Sequence, residues 1–502
     1  MGGCRVSFAA IVLVLVLPLL LMSTASAVSF ASLPREQIPI RSLITHGPLW
    51  VSGVVSMRYV PRTTAATGPL AVDANVAIWP TATDYRVTND PNAQNEVSIA
   101  MNPRNGYNLV ASANDYRGYP GLPPDGWCGV YSTFNGGRTW IEQRVPRNGP
   151  LTQATVSGDP SVAFDADGNA YIECLGFSRT TDDNVLTVTR SSDGGTTWGT
   201  ATLVEGTTAN VFHDKPYIAV DRTSGPTRNF IYVTWTRFMG GSGECGSYSA
   251  PIYFSRSIDG GARFSPPMEI SSAGYRCSQG SEPAVGPAGE LYVSWVTGSR
   301  AVVVKSTDAG VTWGSPRTIP MQVPNEVYGG SPRTPHFPSI AVNPINAPDG
   351  SNRVHVVWAD RRYGTPDILM STSADGGLNF GAAVRVNDDA TNAQFFPWVA
   401  ASNTGKVFVS FYDQRDDPNG RLLNVYVTVS ADFGATFQKN LRASAQFDPG
   451  TWFIGDYNGL TASADFAYPV WCDLRNGGNE EVYMAGPPML TGGLGGMLGP
   501  GP

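Results

Sequence analysis

One short motif occurs six times along this chain, and its recurrence limits the fold more than any other feature of the sequence. Every copy reads Ser or Thr, any residue, Asp or Asn, any residue, Gly, two further residues, and then Trp or Phe. The copies are Thr133–Trp140, Ser191–Trp198, Ser257–Phe264, Ser306–Trp313, Ser373–Phe380 and Ser430–Phe437. A single copy would fit any hairpin turn, but six copies roughly 50 to 67 residues apart indicate a repeated structural unit.

The residue types of the motif predict what it builds. The Asp or Asn side chain accepts backbone N–H groups inside a turn, and Gly supplies a backbone with positive φ. The Ser or Thr hydroxyl satisfies further groups of the turn, and the aromatic ring fills the space beneath the hairpin. Each copy therefore predicts a stapled β-hairpin, which makes the motif a feature of the scaffold.

The segments around each copy complete a unit of four strands. A short apolar strand, a turn and a second strand that ends in an aromatic residue precede the motif, as in "EPAVGPAGELYVSW". Three strands, the motif turn and a fourth strand are the layout of one propeller blade. Seven units of roughly 56 residues lie between about Glu96 and Ala485. We therefore expect an all-β protein that forms a single β-propeller of four-stranded blades, seven in number, with six as the alternative.

The last unit lacks both the motif and a fourth strand. An open strand edge promotes aggregation, so we expect a segment before Glu96 to supply the missing strand. "DYRVTN" and "LWVSGVVSMRYV" are the two candidates for this closing strand.

The N-terminus has the pattern of a secretory signal, because an apolar run from Phe8 to Met22 precedes a small-residue cleavage sequence, Ala25-Ser26-Ala27. The tail is rich in Gly and Pro, and we expect it to be disordered. The predicted divisions are a signal peptide (1–27), an N-terminal segment that helps to close the propeller (28–90), the propeller itself (91–486) and the tail (487–502).

Charge and composition exclude several classes of partner. The net charge is −7, and no block of Lys or Arg is present, so we expect neither a nucleic-acid partner nor binding to an anionic membrane surface. The apolar run at the N-terminus is the longest in the chain. We therefore expect a secreted, extracellular monomer with no membrane span after signal cleavage.

Five cysteines remain after the predicted cleavage, which is too few for a disulfide framework. Cys245 and Cys277 lie in polar segments rich in Gly and Ser, and we predict that they pair. Cys174 and Cys472 lie in strand-like runs, which predicts buried thiols. No Cys-x-x-Cys is present and only four His occur, so we expect no metal site and no cofactor.

The six motifs resemble the Asp-boxes, or bacterial neuraminidase repeats, of the sialidase superfamily. The resemblance covers about 390 residues and implies a sialidase-like β-propeller whose Asp-boxes lie on the face away from the active site. It also implies a carbohydrate-active protein that, like exo-α-sialidases, hydrolyses glycosidic bonds to an acidic sugar. Asp-boxes also occur in polysaccharide lyases and in proteins with no known activity. The alternatives are therefore a non-catalytic propeller that binds glycans or proteins, and a lyase that acts on uronates.

An arginine recurs in the loops predicted between the second and third strands of all seven units. Four of these loops read "NDYR", "ADRR", "YDQR" and "CDLR". Either Asp-x-Arg is a repeated structural pair, or two or three of the arginines converge on the carboxylate of an acidic sugar, which the planar guanidinium can hold at two points. The candidates for substrate binding are Arg117, Arg237, Arg361, Arg362, Arg415 and Arg475.

The resemblance also implies catalytic roles for residues in the loops that lead into the innermost strands. Sialidases combine three arginines with a nucleophilic Tyr, a Glu partner and an Asp acid/base. Tyr457, in "IGDYNGL", is placed as the nucleophile and Glu282 as its partner. Asp159 or Asp214 is placed as the acid.

The chain also departs from the sialidase pattern. The early Arg-Ile-Pro motif of that family is absent, and seven units differ from the six blades of true sialidases. Seven blades are similar to xyloglucan-type glycosidases and to some ulvan-degrading lyases. A lyase needs a base such as His, and His213 and His336 lie in the loops where that base is expected.

Overall fold

The computed structural model describes residues 53–56, 83–324, 326–329 and 332–486. The predicted signal peptide, the tail and most of the N-terminal segment lie outside the described residues. In the described part, the helical elements are α1 (Gly53–Ser56) and a short 3-10 helix (Gly149–Gln153). No helix of that part is long and apolar enough to cross a membrane.

The strands form seven separate sheets, and each sheet is antiparallel. The first sheet contains β2 (Gln94–Asn102), β3 (Asn105–Asp115), β4 (Trp127–Thr133) and β5 (Ile141–Arg144). The second contains β6 (Val156–Phe164), β7 (Ala170–Phe177), β8 (Asn184–Ser191) and β9 (Thr202–Glu205). The third contains β10 (Val211–Val220), β11 (Ile231–Gly243), β13 (Ile252–Ser257) and β14 (Met268–Glu269), with β12 (Gly246–Ser249) beside β11.

The remaining sheets follow in chain order. The fourth contains β15 (Ser278–Val285), β16 (Leu291–Thr297), β17 (Arg300–Ser306) and β18 (Arg317–Pro320). The fifth contains β19 (Ser339–Val342), β20 (Val354–Asp360), β21 (Asp367–Ser373) and β22 (Val384–Arg385). The sixth contains β23 (Gln394–Ala401), β24 (Val407–Asp413), β25 (Asn424–Ser430) and β26 (Leu441–Arg442). The seventh contains β27 (Gly459–Ala462), β28 (Ala467–Asp473), β29 (Glu481–Gly486) and β1 (Thr83–Arg86).

The seven sheets are the blades of a β-propeller. The first strands of successive sheets contact one another around a closed ring that runs from β2 through β6, β10, β15, β19, β23 and β27 and back to β2. The prediction of a seven-bladed all-β propeller is confirmed, and the six-bladed alternative is excluded.

The second strand of each blade supplies large apolar side chains to the packing between blades. The fifth residue of this strand is a fully buried aromatic in five blades: Trp235, Trp295, Trp358, Phe411 and Trp471. Burying a side chain of this size contributes about 1.5–3 kcal/mol, so the repeated aromatic is a main source of blade-to-blade stability. This aromatic is the residue that the sequence pattern placed at the end of the second strand.

The seventh blade takes its outermost strand from the N-terminal side of the chain. β1 pairs antiparallel with β29, so that Tyr85 faces Met484 across the ladder. Ion pairs fasten this strand, because Arg86 binds Glu481 and Asp84 binds Arg475. The closing strand therefore lies in the "DYRVTN" stretch and joins residues about 400 positions apart.

The motif turns have the hydrogen bonds that their residue types predict. In the copy that begins at Ser306, the hydroxyl accepts the N–H of Gly310 at 2.8 Å, and Asp308 Oδ1 accepts the N–H of Thr312 at 2.8 Å. Gly310 has a φ of 83°. The bond from the Gly N–H to the Ser or Thr hydroxyl recurs in the other copies at 2.8–3.1 Å. The aromatic of every copy packs, half-buried, against the hydrophobic core.

Two disulfides connect neighbouring blades. Cys245 pairs with Cys277, as predicted, and this bond links the third blade to the start of the fourth. The prediction of a free thiol at Cys174 is wrong, because Cys174 on β7 pairs with Cys128 on β4 of the preceding blade. A contact across a blade interface leaves no mark in the local strand pattern. Cys472 is a buried free thiol, as predicted.

We predict that Ser306→Ala lowers the free energy of unfolding by about 1–3 kcal/mol, because the buried N–H of Gly310 loses its acceptor. The control is Thr312→Ala, which removes only the exposed bond of Thr312 Oγ1 to Asp308 and should cost about 0.5 kcal/mol or less. Urea unfolding of the two variants measures both values. Equal losses in the two variants would contradict this account of the turn.

Candidate functional site

The inner strands of several blades begin with the same backbone irregularity. Near the start of β2, β6, β10, β15 and β23, a bulge interrupts the pairing with the second strand. Glu96, Asp159, Lys215 and Phe396 adopt left-handed φ values of 54°, 52°, 46° and 51° at these bulges. Such a backbone costs about 1–3 kcal/mol in a residue other than Gly, and it persists where the surroundings enforce it. We call this end of the axis the start face, and the opposite end, which carries the motif turns, the turn face.

Four buried charged residues from distant parts of the chain meet at the start face. The ammonium of Lys215 donates to Asp456 Oδ2 at 2.6 Å and to Glu96 Oε1 at 3.3 Å. Arg333 holds the same Asp456 carboxylate through two hydrogen bonds, one of which is 2.6 Å long. None of the four side chains is more than 4% exposed. We call Glu96, Lys215, Arg333 and Asp456 the axial ion cluster.

The cluster fixes the charge state of its lysine. Burial alone would favour a neutral Lys215, but the Asp456 and Glu96 carboxylates outweigh it and raise the pKa of Lys215 above its ordinary value. The ammonium is therefore charged at every pH at which the propeller is folded and the carboxylates are ionised.

The single turn α1 lies against the cluster from the outside. The N–H of Gly53 donates to Glu96 Oε1 at 3.1 Å, and Val54 is fully buried. Arg179 donates to the carbonyl of Val54 at 2.9 Å. A Cβ on Gly53 would lie 2.3 Å from the ring of Phe453, so only Gly fits here. A short piece of the N-terminal segment therefore packs against the axial ion cluster.

Three aromatic rings pack directly next to the cluster. The ring centroids of Tyr217, Trp398 and Tyr457 are 5.5–6.1 Å apart, and the ammonium of Lys215 lies 5.4 Å from the ring of Tyr457. Burial, together with the nearby acidic groups, raises the pKa of Tyr457 well above its ordinary value. The phenol is therefore neutral at physiological pH in this structure.

Glu282 and Tyr457 line one small cavity, together with Tyr217, Trp398 and Asp456. Its volume is about 10 Å³, which is room for one water molecule. Burial raises the pKa of Glu282 to about 8, because the hydrogen bonds to its carboxylate only partly offset the loss of water. At neutral pH this acid therefore carries its proton.

A repeated hydrogen bond between blades explains what holds Glu282. In three blades, a serine hydroxyl of the inner strand accepts a backbone N–H of the next inner strand at 3.2–3.3 Å, and these serines are Ser98, Ser161 and Ser339. Glu282 does the same at its blade, where Oε2 accepts the N–H of Ile340 at 2.9 Å. A carboxyl therefore stands where other blades have a hydroxyl, which breaks the symmetry of the ring at this point.

The two aspartates predicted as acids lie beside the cluster. Asp159 accepts the backbone N–H of Lys215 at 3.2 Å, and its own N–H donates to Asn114 Oδ1 at 2.7 Å. Asp214 accepts from Gln279 at 2.7 Å. Both side chains are fully buried. The structure thus brings Tyr457, Glu282, Asp159 and Asp214 to the same end of the axis.

Four of the predicted substrate-binding arginines are held by local pairs. Each donates through Nε, at 2.8–3.0 Å, to an Asp two residues earlier: Arg117 to Asp115, Arg362 to Asp360, Arg415 to Asp413 and Arg475 to Asp473. Each also binds a group on or next to an outermost strand: Glu142, the carbonyl of Pro320, Asp388 and Asp84. These arginines therefore lie toward the rim of the propeller and do not meet at the axis.

The other predicted binding residues are two arginines and two histidines. Arg237 pairs with Glu205 at 3.3 Å, and Arg361 is exposed. His213 is buried and contacts the carbonyl of Gly206 at 3.2 Å, and burial lowers its pKa to about 3. Burial also lowers the pKa of His336, to about 4.

Sequence reasoning did not assign Lys215, Arg333, Tyr217 or Trp398 to the site. The sequence contained one signal for Lys215. In three blades the residue with positive φ at the bulge precedes a proline, in Asp159-Pro160, Lys215-Pro216 and Phe396-Pro397, and only the second of these pairs carries a cation. Arg333 lies in the long connection between β18 and β19, which no repeat aligns. Its partner, Asp456, is 123 residues away.

No family model matches the chain, and no curated protein matches it. Among solved structures, the chain is similar to a protein of unknown function from Dyadobacter fermentans, with 13% identity, a TM-score of 0.46, and coverage of 81% of this chain and 99% of that one. It is similar to an ulvan lyase with 10% identity, a TM-score of 0.45 and coverage of 79% and 94%. It is also similar to a Hadza microbial sialidase with 14% identity, a TM-score of 0.43 and coverage of 84% and 95%. The fold assignment rests on the strand pairing described above, not on these similarities.

We predict that Lys215→Met lowers the free energy of unfolding by about 3–5 kcal/mol, because two buried carboxylates lose their shared cation. The control, Lys406→Met, removes a surface pair with Asp465 and should cost about 1 kcal/mol or less. Chemical denaturation compares the two variants. A Lys215→Met protein as stable as the control would show that the cluster contributes no net stability.

We predict a pH effect that is specific to Glu282. Its pKa is raised from 4.5 to about 8 in the folded protein, so the folded state binds the proton more tightly than the unfolded chain does. The contribution of this proton to the free energy of unfolding is fully present below about pH 4.5. It decreases by up to about 1.4 kcal/mol per pH unit as the pH rises to about 8. Glu282→Gln should remove it, so that the stability difference between variant and wild type grows in favour of the variant across this window. A constant difference, measured by urea unfolding at several pH values, would contradict the assignment.

Proposed function

We propose that the protein is a secreted carbohydrate-active propeller that resembles exo-α-sialidases and hydrolyses glycosidic bonds to an acidic sugar. The observation that carries this proposal is the shared cavity of Glu282 and Tyr457, next to Tyr217 and Trp398. A half-buried acid with a raised pKa, beside a Tyr and a Trp, is typical of a functional site, because aromatic rings pack against sugar rings and perturbed acids transfer protons.

The roles follow from the chemistry of the side chains. Tyr457 attacks the anomeric carbon, its phenolic proton passes to ionised Glu282, and Asp159 or Asp214 protonates the leaving oxygen. Ionised Glu282 is required for the first step, and its pKa is about 8. Turnover is therefore expected to rise with pH up to about 8.

Substrate access needs one movement. The cavity at Glu282 has room for a single water molecule, and α1 packs on the neighbouring axial ion cluster through Gly53 and Glu96. We infer that α1 withdraws before a sugar binds, which costs the hydrogen bond from Gly53 to Glu96 and exposes Val54. The resting form described here is therefore the closed form.

Secretion is part of the same proposal. The N-terminal sequence has the pattern of a signal peptide, and two disulfides link neighbouring blades. Disulfides persist in oxidising compartments, which supports an extracellular location.

A non-catalytic propeller that binds glycans or proteins is the second candidate. The Asp-x-Arg pairs favour it, because Arg117, Arg362, Arg415 and Arg475 are each occupied by an Asp of the same repeat. A repeated pair serves the scaffold, whereas a sialidase needs arginines that are free to hold a carboxylate. A uronate lyase would depend on His213 or His336, both neutral at pH 7.

We predict that the purified mature chain releases fluorophore from a 4-methylumbelliferyl sialoside and that Tyr457→Phe abolishes the release. The matched control is Tyr363→Phe, which removes the hydroxyl of an exposed tyrosine far from the axis and should leave turnover unchanged. Release by wild type and loss in Tyr457→Phe, with both proteins equally folded by circular dichroism, would support the proposal. No release by the wild type at any pH from 5 to 9 would exclude this sialidase activity and favour the binding propeller.

A further inference from the structure

A larger cavity lies along the axis on the other side of Glu282. Its volume is about 440 Å³, within the range of small-molecule sites. Its inner end is lined by Tyr217, Glu282 and Trp398, and its outer end by Arg222 and Ser224 of the loop after β10. That loop joins the first and second strands, so the cavity opens on the turn face, opposite α1.

The walls of this cavity are small and polar. Inner-strand residues line it with one ring of short side chains: Ala100, Ala163, Ala219, Ala284, Ala341, Ala400 and Thr461. Each inner strand is the edge of its sheet, so one row of its backbone N–H and C=O groups is not used by a second strand. Such groups can bind the hydroxyls of a sugar.

The cavity carries a net positive charge. Among the described residues, Arg222 and Glu282 are the only charged ones that line it. Burial keeps Glu282 protonated at neutral pH, as described above. Arg222 is exposed at the mouth of the cavity and makes no ion pair within the described part of the chain, and partial loss of water around it lowers its pKa. An arginine that water reaches and that is not ion-paired with a described carboxylate is suited to bind an anion, and the carboxylate of the neighbouring Asp221 is held by Thr223 and Thr227.

The aromatic rings at the inner end indicate what kind of anion fits. Tyr217 and Trp398 lie 6.0 Å apart between ring centroids and close the cavity with apolar surface. Arg222 lies five positions after Tyr217, beyond the end of β10 at Val220, and an extended chain of that length spans at most about 16 Å. The arginine side chain spans only part of this distance, and the ligand must span the rest. A ligand that touches both ends is therefore longer than a free carboxylate or a single sugar.

We propose that the axial cavity binds a short oligosaccharide that carries a carboxylate, with the carboxylate at Arg222 and a sugar ring against Tyr217 and Trp398. This site opens on the face opposite the proposed hydrolytic site, and the two cavities share Tyr217, Glu282 and Trp398 at their common end. It does not require that the protein hydrolyse anything.

The test is calorimetric titration of the mature protein at pH 7 with digalacturonate, with the neutral α-1,4-galactobiose, and with acetate. Neither disaccharide contains the bond that a sialidase cleaves, so binding is read independently of the proposed activity. We expect digalacturonate to bind at least tenfold more tightly than galactobiose, and acetate to bind more weakly still. Equal affinity for the two disaccharides, or no binding of either, would overturn the proposal. Acetate binding as tight as digalacturonate binding would overturn the sugar part of it.

The matched variants are Arg222→Gln and Arg263→Gln. Arg222→Gln should weaken digalacturonate binding at least tenfold and leave galactobiose binding unchanged, whereas Arg263→Gln alters an exposed arginine of a motif turn and should change neither. Arg222→Lys keeps the charge without the planar fork and should give an intermediate affinity. Thermal unfolding without ligand confirms that each variant is folded. Unchanged binding in Arg222→Gln would place the ligand elsewhere and contradict the assignment.

Discussion

The buried ammonium of Lys215 is the interaction on which the start face depends. It belongs to the third blade, yet it binds Glu96 of the first blade and Asp456 in the connection that leads to the seventh. Its backbone N–H also binds Asp159 of the second blade. One residue thus connects four neighbouring blades around the axis. Buried ions are expensive to take out of water, so their partners must stay in place once the cluster has formed.

The ion cluster also separates the two ends of the axis. On the start face, Arg333 and Lys215 neutralise Asp456, and α1 packs against the cluster through Gly53. On the turn face, the axial cavity is open and contains an arginine with no ion pair among the described residues. Glu282 lies between the two ends and contributes to both cavities. Its position would link the proposed hydrolysis, which needs an ionised carboxylate, to the proposed binding site, which needs a neutral one.

Local sequence patterns predicted most of the fold. Each motif turn, each strand and the aromatic at the end of each second strand has a signature of about ten residues. The repetition of these signatures revealed the four-stranded units. The Asp-x-Arg pairs were also local, and one of the two interpretations drawn from the sequence matches the observed bonds, as with Arg415 and Asp413. The sequence offered two candidate segments for the closing strand. It could not distinguish between them, because no local pattern shows which segment pairs with β29.

Long-range contacts account for what the sequence did not predict. Lys215 and Asp456 are 241 residues apart, and Cys128 and Cys174 lie in different blades. Such pairs depend on how blades face one another around the ring, which a single sequence does not encode in any short pattern. The hydrogen bond from Gly53 to Glu96 was not predicted for the same reason, because α1 is not part of any repeat.

A glycan-array screen of the purified mature chain tests most directly the central claim that this propeller recognises acidic glycans. Labelled protein is applied to paired glycans that differ only in whether they carry a carboxylate. The account predicts binding to the acidic member of each pair and little to its neutral partner. A folded protein that binds no glycan, or that binds acidic and neutral partners equally, would contradict it.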